Sequence, residues 1–126
     1  MQAIKNTIAE NLGNKVLGVD TGAHALAPKG QQFSLEEVPD LTGKVALVTG
    51  GSEGIGYGCT HTLLSHNVSK LFILSKGEDI ATDAINAITQ EMGKDKADRV
   101  EWFQCDLSDW EQTGKVAFQI SEKTGT

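Results

Sequence analysis

The chain has 126 residues, with 11 basic and 17 acidic side chains and a net charge of −6 at pH 7. That length suits one domain with a modest core, and the acid excess argues against a nucleic-acid backbone as partner, which needs a basic face. Hydrophobic content of 39% is that of a globular chain, no apolar run is long enough to span a bilayer, and the N-terminus lacks the apolar stretch of a secretory signal.

Residues 1–40 are expected to be an extension and linker ahead of a domain at 41–126. Ile4, Ile8 and Leu12 share one helical stripe, with Gly13 as its stop. The segment is read either as a short amphipathic helix or as a partly ordered arm. It has no arginine and contains Glu10, so the expected location is cytoplasmic, with a mitochondrial presequence as the alternative. Residues 18–32, with His24, read as linker. Ser34-Leu-Glu-Glu37 has the form of a capping box, which Pro39 limits to one turn.

Val45 to Thr49 is a short apolar run of the kind a strand buried on both faces of a parallel sheet needs. Gly50, Gly54 and Gly56 follow, and then a helix to about Ser65 in which Ile55, Cys59 and Leu63 recur every fourth residue. Strand, glycine loop and helix together point to phosphate binding. Gly50 permits the tight turn, Gly54 lets the backbone approach a pyrophosphate, and Gly56 lets the helix lie close. The amides of the first helical turn then face the anion. A glycine loop that only turns a corner is the alternative. Cys59 and Cys105 have no metal-ligand neighbours at usable spacing and are expected to be buried, so no metal site is assigned. His61 and His66 are expected on the surface.

The second strand is Lys70 to Ser75. Dinucleotide-binding folds place an acid about twenty residues beyond the glycines, on the ribose hydroxyls. Lys76 stands there, after Ser75. A carboxylate would repel a 2′-phosphate, whereas an ammonium and a hydroxyl hold it. This favours NADP over NAD. The alternative makes Lys76 a solvated lysine and gives the ribose to Glu78 or Asp79. The second helix starts near Asp79, with Ile80, Ala81, Ala84, Ile85, Ile88 and Met92 as its apolar face, and Gly93 ends it. Lys94 to Asp98 is a charged turn. The third strand is Val100 to Cys105, followed by Asp106 and Leu107. Ser108-Asp-Trp-Glu111 reads as a capping box for a third helix from about Asp109 to Lys123. Its expected buried side is Trp110, Val116, Ala117 and Ile120. Trp102 and Trp110 are read as packing residues.

The spacing Thr-Gly-x-x-x-Gly-x-Gly at 49–56, preceded by Leu41-Thr42-Gly43-Lys44 and followed by Tyr57-Gly58, resembles the cofactor loop of the short-chain dehydrogenase/reductase family. The resemblance covers roughly residues 41–123. It implies a Rossmann-like α/β fold with three layers, here partial: β-α-β-α-β-α with strand order 3-2-1. It implies that Asp106 accepts a hydrogen bond from the adenine amino group, with Leu107 lining the adenine pocket. A helix-capping role is the alternative for Asp106. The cofactor-binding set is therefore Gly50, Ser52, Glu53, Gly54, Ile55, Gly56, Ser75, Lys76, Asp106 and Leu107.

The family's catalytic Ser and Tyr-x-x-x-Lys pair, and the Asn-Asn-Ala-Gly-like strand end before them, have no counterpart here. Tyr57 is the one tyrosine, and His61 stands four residues on. No catalytic residue is assigned. The expected function is the NADP(H)-binding half of a short-chain oxidoreductase, inactive in isolation. The alternative is a non-catalytic nucleotide-binding or interaction module, such as a truncated product docking on a full-length relative. With order 3-2-1 the strand at 45–49 becomes an open, apolar edge, so self-association or pairing with a missing C-terminal half is expected there.

Overall fold

A computed structural model describes residues 30–125; the stripe at Ile4, Ile8 and Leu12 and the residue His24 lie outside them. The chain divides into two units, Met1–Glu37 and Val38–Thr126. In the first, a 3-10 turn at Leu35–Glu37 makes the glutamate half of the expected capping box, while the serine hydroxyl meets the amide one residue earlier. The Ser34 amide donates to the Glu37 carboxylate at 3.0 Å, and the Ser34 hydroxyl accepts from the Glu36 amide at 3.3 Å.

The second unit is built on three parallel strands, β1 (Val45–Thr49), β2 (Lys70–Ser75) and β3 (Val100–Gln104), in the order β1-β2-β3. This is the predicted order. Helices α1 (Gly54–Ser65), α2 (Glu78–Met92), α3 (Lys94–Ala97) and α4 (Trp110–Thr124) connect and follow them. The charged turn at 94–98 is thus a short helix, tied by a Lys94–Asp98 pair at 2.7 Å.

β2 is central and sends alternate side chains to opposite faces. Leu71 and Ile73 join Leu64 of α1, Ile88 of α2, Ala97 and Val68 in one cluster. Phe72 and Leu74 join Cys105 with Val116 and Ile120 of α4 in another. Helices therefore cover both faces of β2, which gives three layers and explains its unbroken apolar run.

β1 departs from expectation. Ala46 and Val48 pack on the first cluster, but Val45 is 52% and Leu47 47% exposed. β1 is an edge strand, as the order 3-2-1 implies; what differs is that α4 packs on side chains of β2 and β3 and leaves the outer face of β1 uncovered.

The buried stripe of α1 also differs. Cys59 is exposed, not buried, and Ile55 is 91% exposed, while Thr60 and Leu64 are buried. The contact is rotated by one residue because this helix meets a loop as well as a sheet. Thr60 donates its hydroxyl to the Gly51 carbonyl at 3.0 Å, so small and polar residues occupy the interface beside the loop, and Leu64 marks it one turn farther on. The helix ends at Ser65 with His66 as its cap, and Asn67 just beyond it turns the chain away with a left-handed φ of 67°. Lys96 closes it by donating to the Leu64 carbonyl at 2.8 Å and the Asn67 amide oxygen at 2.6 Å.

The N-cap of α4 is Asp109, not Ser108. The Asp109 carboxylate accepts from the Gln112 amide at 3.0 Å. Ser108 turns back to Asp106 instead. From that start, Val116 and Ile120 face the sheet, whereas Trp110, at 80% exposure, and Ala117 face outward. Ile80 likewise leaves the buried face of α2, formed by Ala81, Ala84 and Ile88.

Candidate functional site

The carboxyl ends of the strands meet the glycine loop in a cleft of about 610 Å³. The loop leaves β1 at Gly50, whose φ is +65° and whose amide still bonds the Leu74 carbonyl at 2.8 Å. Gly54 also has positive φ, +58°, and open space where a Cβ would stand. Gly56 is a steric requirement. A methyl group there would run into the Gly50 carbonyl, so α1 can start this close to the loop only with glycine. Gly51 is nearly as confined, because a Cβ would come 2.8 Å from the Thr60 hydroxyl. Glu53 is the N-cap of α1 and makes no side-chain cap bond. The first amide to bond back within the helix is that of Tyr57, to the Glu53 carbonyl at 3.1 Å. The amides of Gly54, Ile55 and Gly56 precede it and form the positive end of the helix dipole.

Of the ten residues in the predicted set, Gly50, Ser52, Glu53, Ser75, Lys76, Asp106 and Leu107 line the cleft together. Gly54, Ile55 and Gly56 are not among its lining residues. Leu74, Gly77, Ile80, Cys105 and Ser108 complete the wall, and sequence reasoning did not select them. The signal existed: Leu74 and Cys105 lie at or just beyond the ends of two strands, where ligands bind in open α/β sheets. Ile80 carries the helical spacing of the apolar face of α2, which hides its place at the cleft. Cys105 is buried, as expected.

Lys76 and Asp106 face each other across the cleft, Nζ to Oδ2 at 3.4 Å. The other oxygen of Asp106 accepts from the Ser108 hydroxyl at 2.7 Å and the Ser108 amide at 3.0 Å. These two bonds, foremost the hydroxyl's, hold the Asp106 carboxyl below its usual range, with Lys76 adding to the effect. Asp106 caps its own turn and not the helix. Gln104 donates to the Lys76 carbonyl at 3.0 Å, and Gln112 accepts from the Asp106 amide at 2.7 Å. Both cleft loops are thereby tied to fixed elements.

On the loop side, the Ser52 and Ser75 hydroxyls share a hydrogen bond of 2.8 Å, and the Trp102 indole donates to the Ser75 hydroxyl at 2.8 Å. Trp102 packs against the first cluster, as expected, but also carries this polar contact.

Tyr57 is not among the cleft-lining residues. Its hydroxyl is buried without a partner, and burial, then the Glu91 charge, raises its pKa above the usual value. His61, expected on the surface, is half-exposed and meets the Glu91 carboxylate at 3.0 Å, an acid supplied by α2. Among the described residues no group of three or more His, Cys, Asp or Glu could hold a metal ion, and no helix is long and apolar enough to cross a membrane.

The sequence model of the family described as short chain dehydrogenase matches residues 44–126. The oxidoreductase bli-4 of Neurospora crassa, whose name also calls it mitochondrial, is 50% identical over 124 residues, 98% of this chain and 28% of that protein. The similarity thus extends into the residues ahead of the family match. The short chain dehydrogenase/reductase dpchH of Colletotrichum higginsianum is 34% identical over 88 residues, 70% of this chain and 22% of the other. Among solved structures, a short-chain dehydrogenase of Novosphingobium aromaticivorans superposes with a TM-score of 0.60 at 25% identity, covering 70% of this chain and 30% of that one. Loop, sheet order and sequence agree: this chain belongs to the short-chain dehydrogenase family and spans 28% and 22% of the two curated relatives.

Proposed function

We propose that the cleft binds NADP(H), and that the chain is the cofactor-binding part of an oxidoreductase moving hydride between NADP(H) and a carbonyl or alcohol. The observation that carries this reading is Lys76: an ammonium lines the cleft at the end of β2, where an NAD-type site sets a carboxylate. The family binds nicotinamide dinucleotides, and the residues fit one. Gly56 leaves room for backbone alone, and the amides at the start of α1 suit a pyrophosphate. Ser52, Ser75 and Lys76 suit a 2′-phosphorylated ribose, and Asp106 and Leu107 suit adenine, whose amino group donates to an acceptor-only carboxylate. Glu53 contributes its backbone. A bound nicotinamide supplies the hydride chemistry; this chain's residues bind and orient it, and we assign none of them a catalytic step.

Calorimetric titration with NADPH and NADH tests the reading. NADPH should bind more tightly, and Lys76→Glu should cut the preference by roughly tenfold or more, through the lost attraction and the new repulsion. Binding of neither nucleotide would overturn it. We expect no turnover from the isolated chain.

The open side of β1 supports a second property, association of this chain with a copy of itself or with a C-terminal half of the domain. The likeness to bli-4 across 98% of the chain favours the mitochondrion over the cytoplasm. Fractionation of cells that leaves the protein in the cytosol would overturn that.

A further inference from the structure

We propose that Trp102 is a positioning residue for the cofactor: its indole N–H fixes Ser75 and, through it, Ser52, so that the serine pair offers one hydroxyl proton to an oxygen of the adenosine half of the dinucleotide. The proposal rests on the reading of the cleft given above.

The argument is one of donors and acceptors. An indole N–H can only donate, so in the 2.8 Å contact the Ser75 oxygen accepts. The two serine hydroxyls lie 2.8 Å apart and share one hydrogen bond. That bond uses one of their two protons, whichever side supplies it. Trp102 takes one lone pair of Ser75, so beside its remaining lone pairs the pair keeps one free proton, which is what it can offer to an acceptor-only oxygen. Both serines line the cleft, and Ser52 is buried. A donor so placed suits phosphate or ribose oxygens, which accept. The polarity is cooperative: a hydroxyl that accepts from an indole is a better donor to the next group.

The relay also joins rigid parts. Trp102 lies opposite Ile73 on β3 and reaches diagonally to Ser75 at the end of β2. Ser52 belongs to the loop that Thr60 pins from α1. A single side chain thus ties the third strand, the second strand and the glycine loop together beside the ligand. Pre-ordering of this kind raises affinity by removing the cost of ordering the donors on binding.

The test uses the whole chain, with NADPH and NADH as probes. Trp102→Phe keeps an aromatic side chain in the strand and removes the donor. It should raise the dissociation constant for NADPH about fivefold, the loss of one net hydrogen bond. Ser75→Ala should do the same. The double variant should lose no more than the larger single loss, whereas multiplying losses would show independent roles and overturn the relay. The indole N–H resonance that Trp102→Phe abolishes is the second readout. It should move in Ser75→Ala without nucleotide, and in the unsubstituted chain on adding NADPH. Should Trp102→Phe fail to fold, Ser75→Ala and Ser52→Ala carry the affinity comparison. Unchanged affinity in a folded Trp102→Phe, or an unmoved resonance in Ser75→Ala, would overturn the proposal and leave the cleft reading intact. An unsubstituted chain that binds neither nucleotide would overturn both.

Discussion

The two faces of the sheet are finished to different degrees. On the face covered by α1 and α2, Leu64, Val68, Leu71, Ile73 and Ile88 are all wholly buried. On the face covered by α4, Phe72, Leu74, Cys105, Val116 and Ile120 form a smaller cluster, and Val45, Leu47 and Phe118 remain exposed. Charged side chains, one of them from α4 itself, shield the rings of this face. Lys70 lies over Phe72 and Lys123 over Phe103, at 5.4 and 5.9 Å, and Glu101 pairs with both lysines at 3.0 and 2.7 Å. Lysine stems cover apolar surface while their ammonium groups stay wet. The difference teaches that the glycine-loop side of the cleft depends on the closed face. Thr60 of α1 holds the loop, while Gln112 of α4 holds Asp106 and Leu74 and Cys105 of the second cluster line the other wall, so the site needs only the part of the second face that α4 covers.

The sharpest way to break this comparison is at the loop. Gly56→Ala sets a methyl group against the Gly50 carbonyl, and neither backbone can give way. We expect at least about 3 kcal/mol of lost stability by denaturant titration, with NADPH binding abolished. A normal denaturation midpoint would mean that α1 can move off the loop. Next comes a matched pair of truncations. Leu64→Ala opens a cavity in the closed face and should cost about 3 kcal/mol. Val45→Ala, on the open face, should cost under about 0.5 kcal/mol, as surface changes do. Similar losses for the two would show that the open face is covered in solution.

That outcome is itself checked by size-exclusion chromatography. The free edge of β1 and the exposed Leu47 predict an elution volume that falls as concentration rises. Leu47→Lys should restore a constant monomer volume, because a charge on an edge strand discourages pairing. Concentration-independent elution of the unsubstituted chain would mean that the edge recruits nothing.

The closed face was largely legible in the sequence, and the open one was not. β1 and β2 carry the predicted bounds, and the strand order follows from the connections. Local pattern fails where contact partners decide the outcome. Val45 and Leu47 read as buried on both faces because composition cannot report that a covering helix stops short. Ile55 and Cys59 kept helical spacing but faced solvent, because Gly56 and Thr60 were needed against the loop. Trp110 fell on the expected stripe of α4, but the cap moved from Ser108 to Asp109 and the stripe narrowed to Val116 and Ile120. At the cleft, Lys76 and Asp106 could be placed by counting from the glycines, yet their 3.4 Å pairing could not. The Trp102 contact escaped altogether, since an indole in a strand looks apolar.

The smallest effect tests the shielding of the open face. Lys123, chiefly, and then Lys70 hold the Glu101 carboxyl below its usual pKa, against partial burial. A carboxyl whose pKa is depressed in the folded state stabilises that state above its unfolded pKa, and the contribution fades as pH falls toward and through the folded value. Glu101 therefore adds its stability at neutral pH and begins to lose it at about pH 4 to 5. Its side chain is 29% exposed, so water screens the pair and the contribution should stay under about 1 kcal/mol. Glu101→Gln should lower stability by that amount at neutral pH, make no difference at the acid end, and flatten the fall between. Salt should shrink the gap at neutral pH, because both lysines act across solvent. A gap that survives high salt, or persists at the acid end, would mean that Glu101 holds the face by packing against Phe72 and Phe103 rather than by charge.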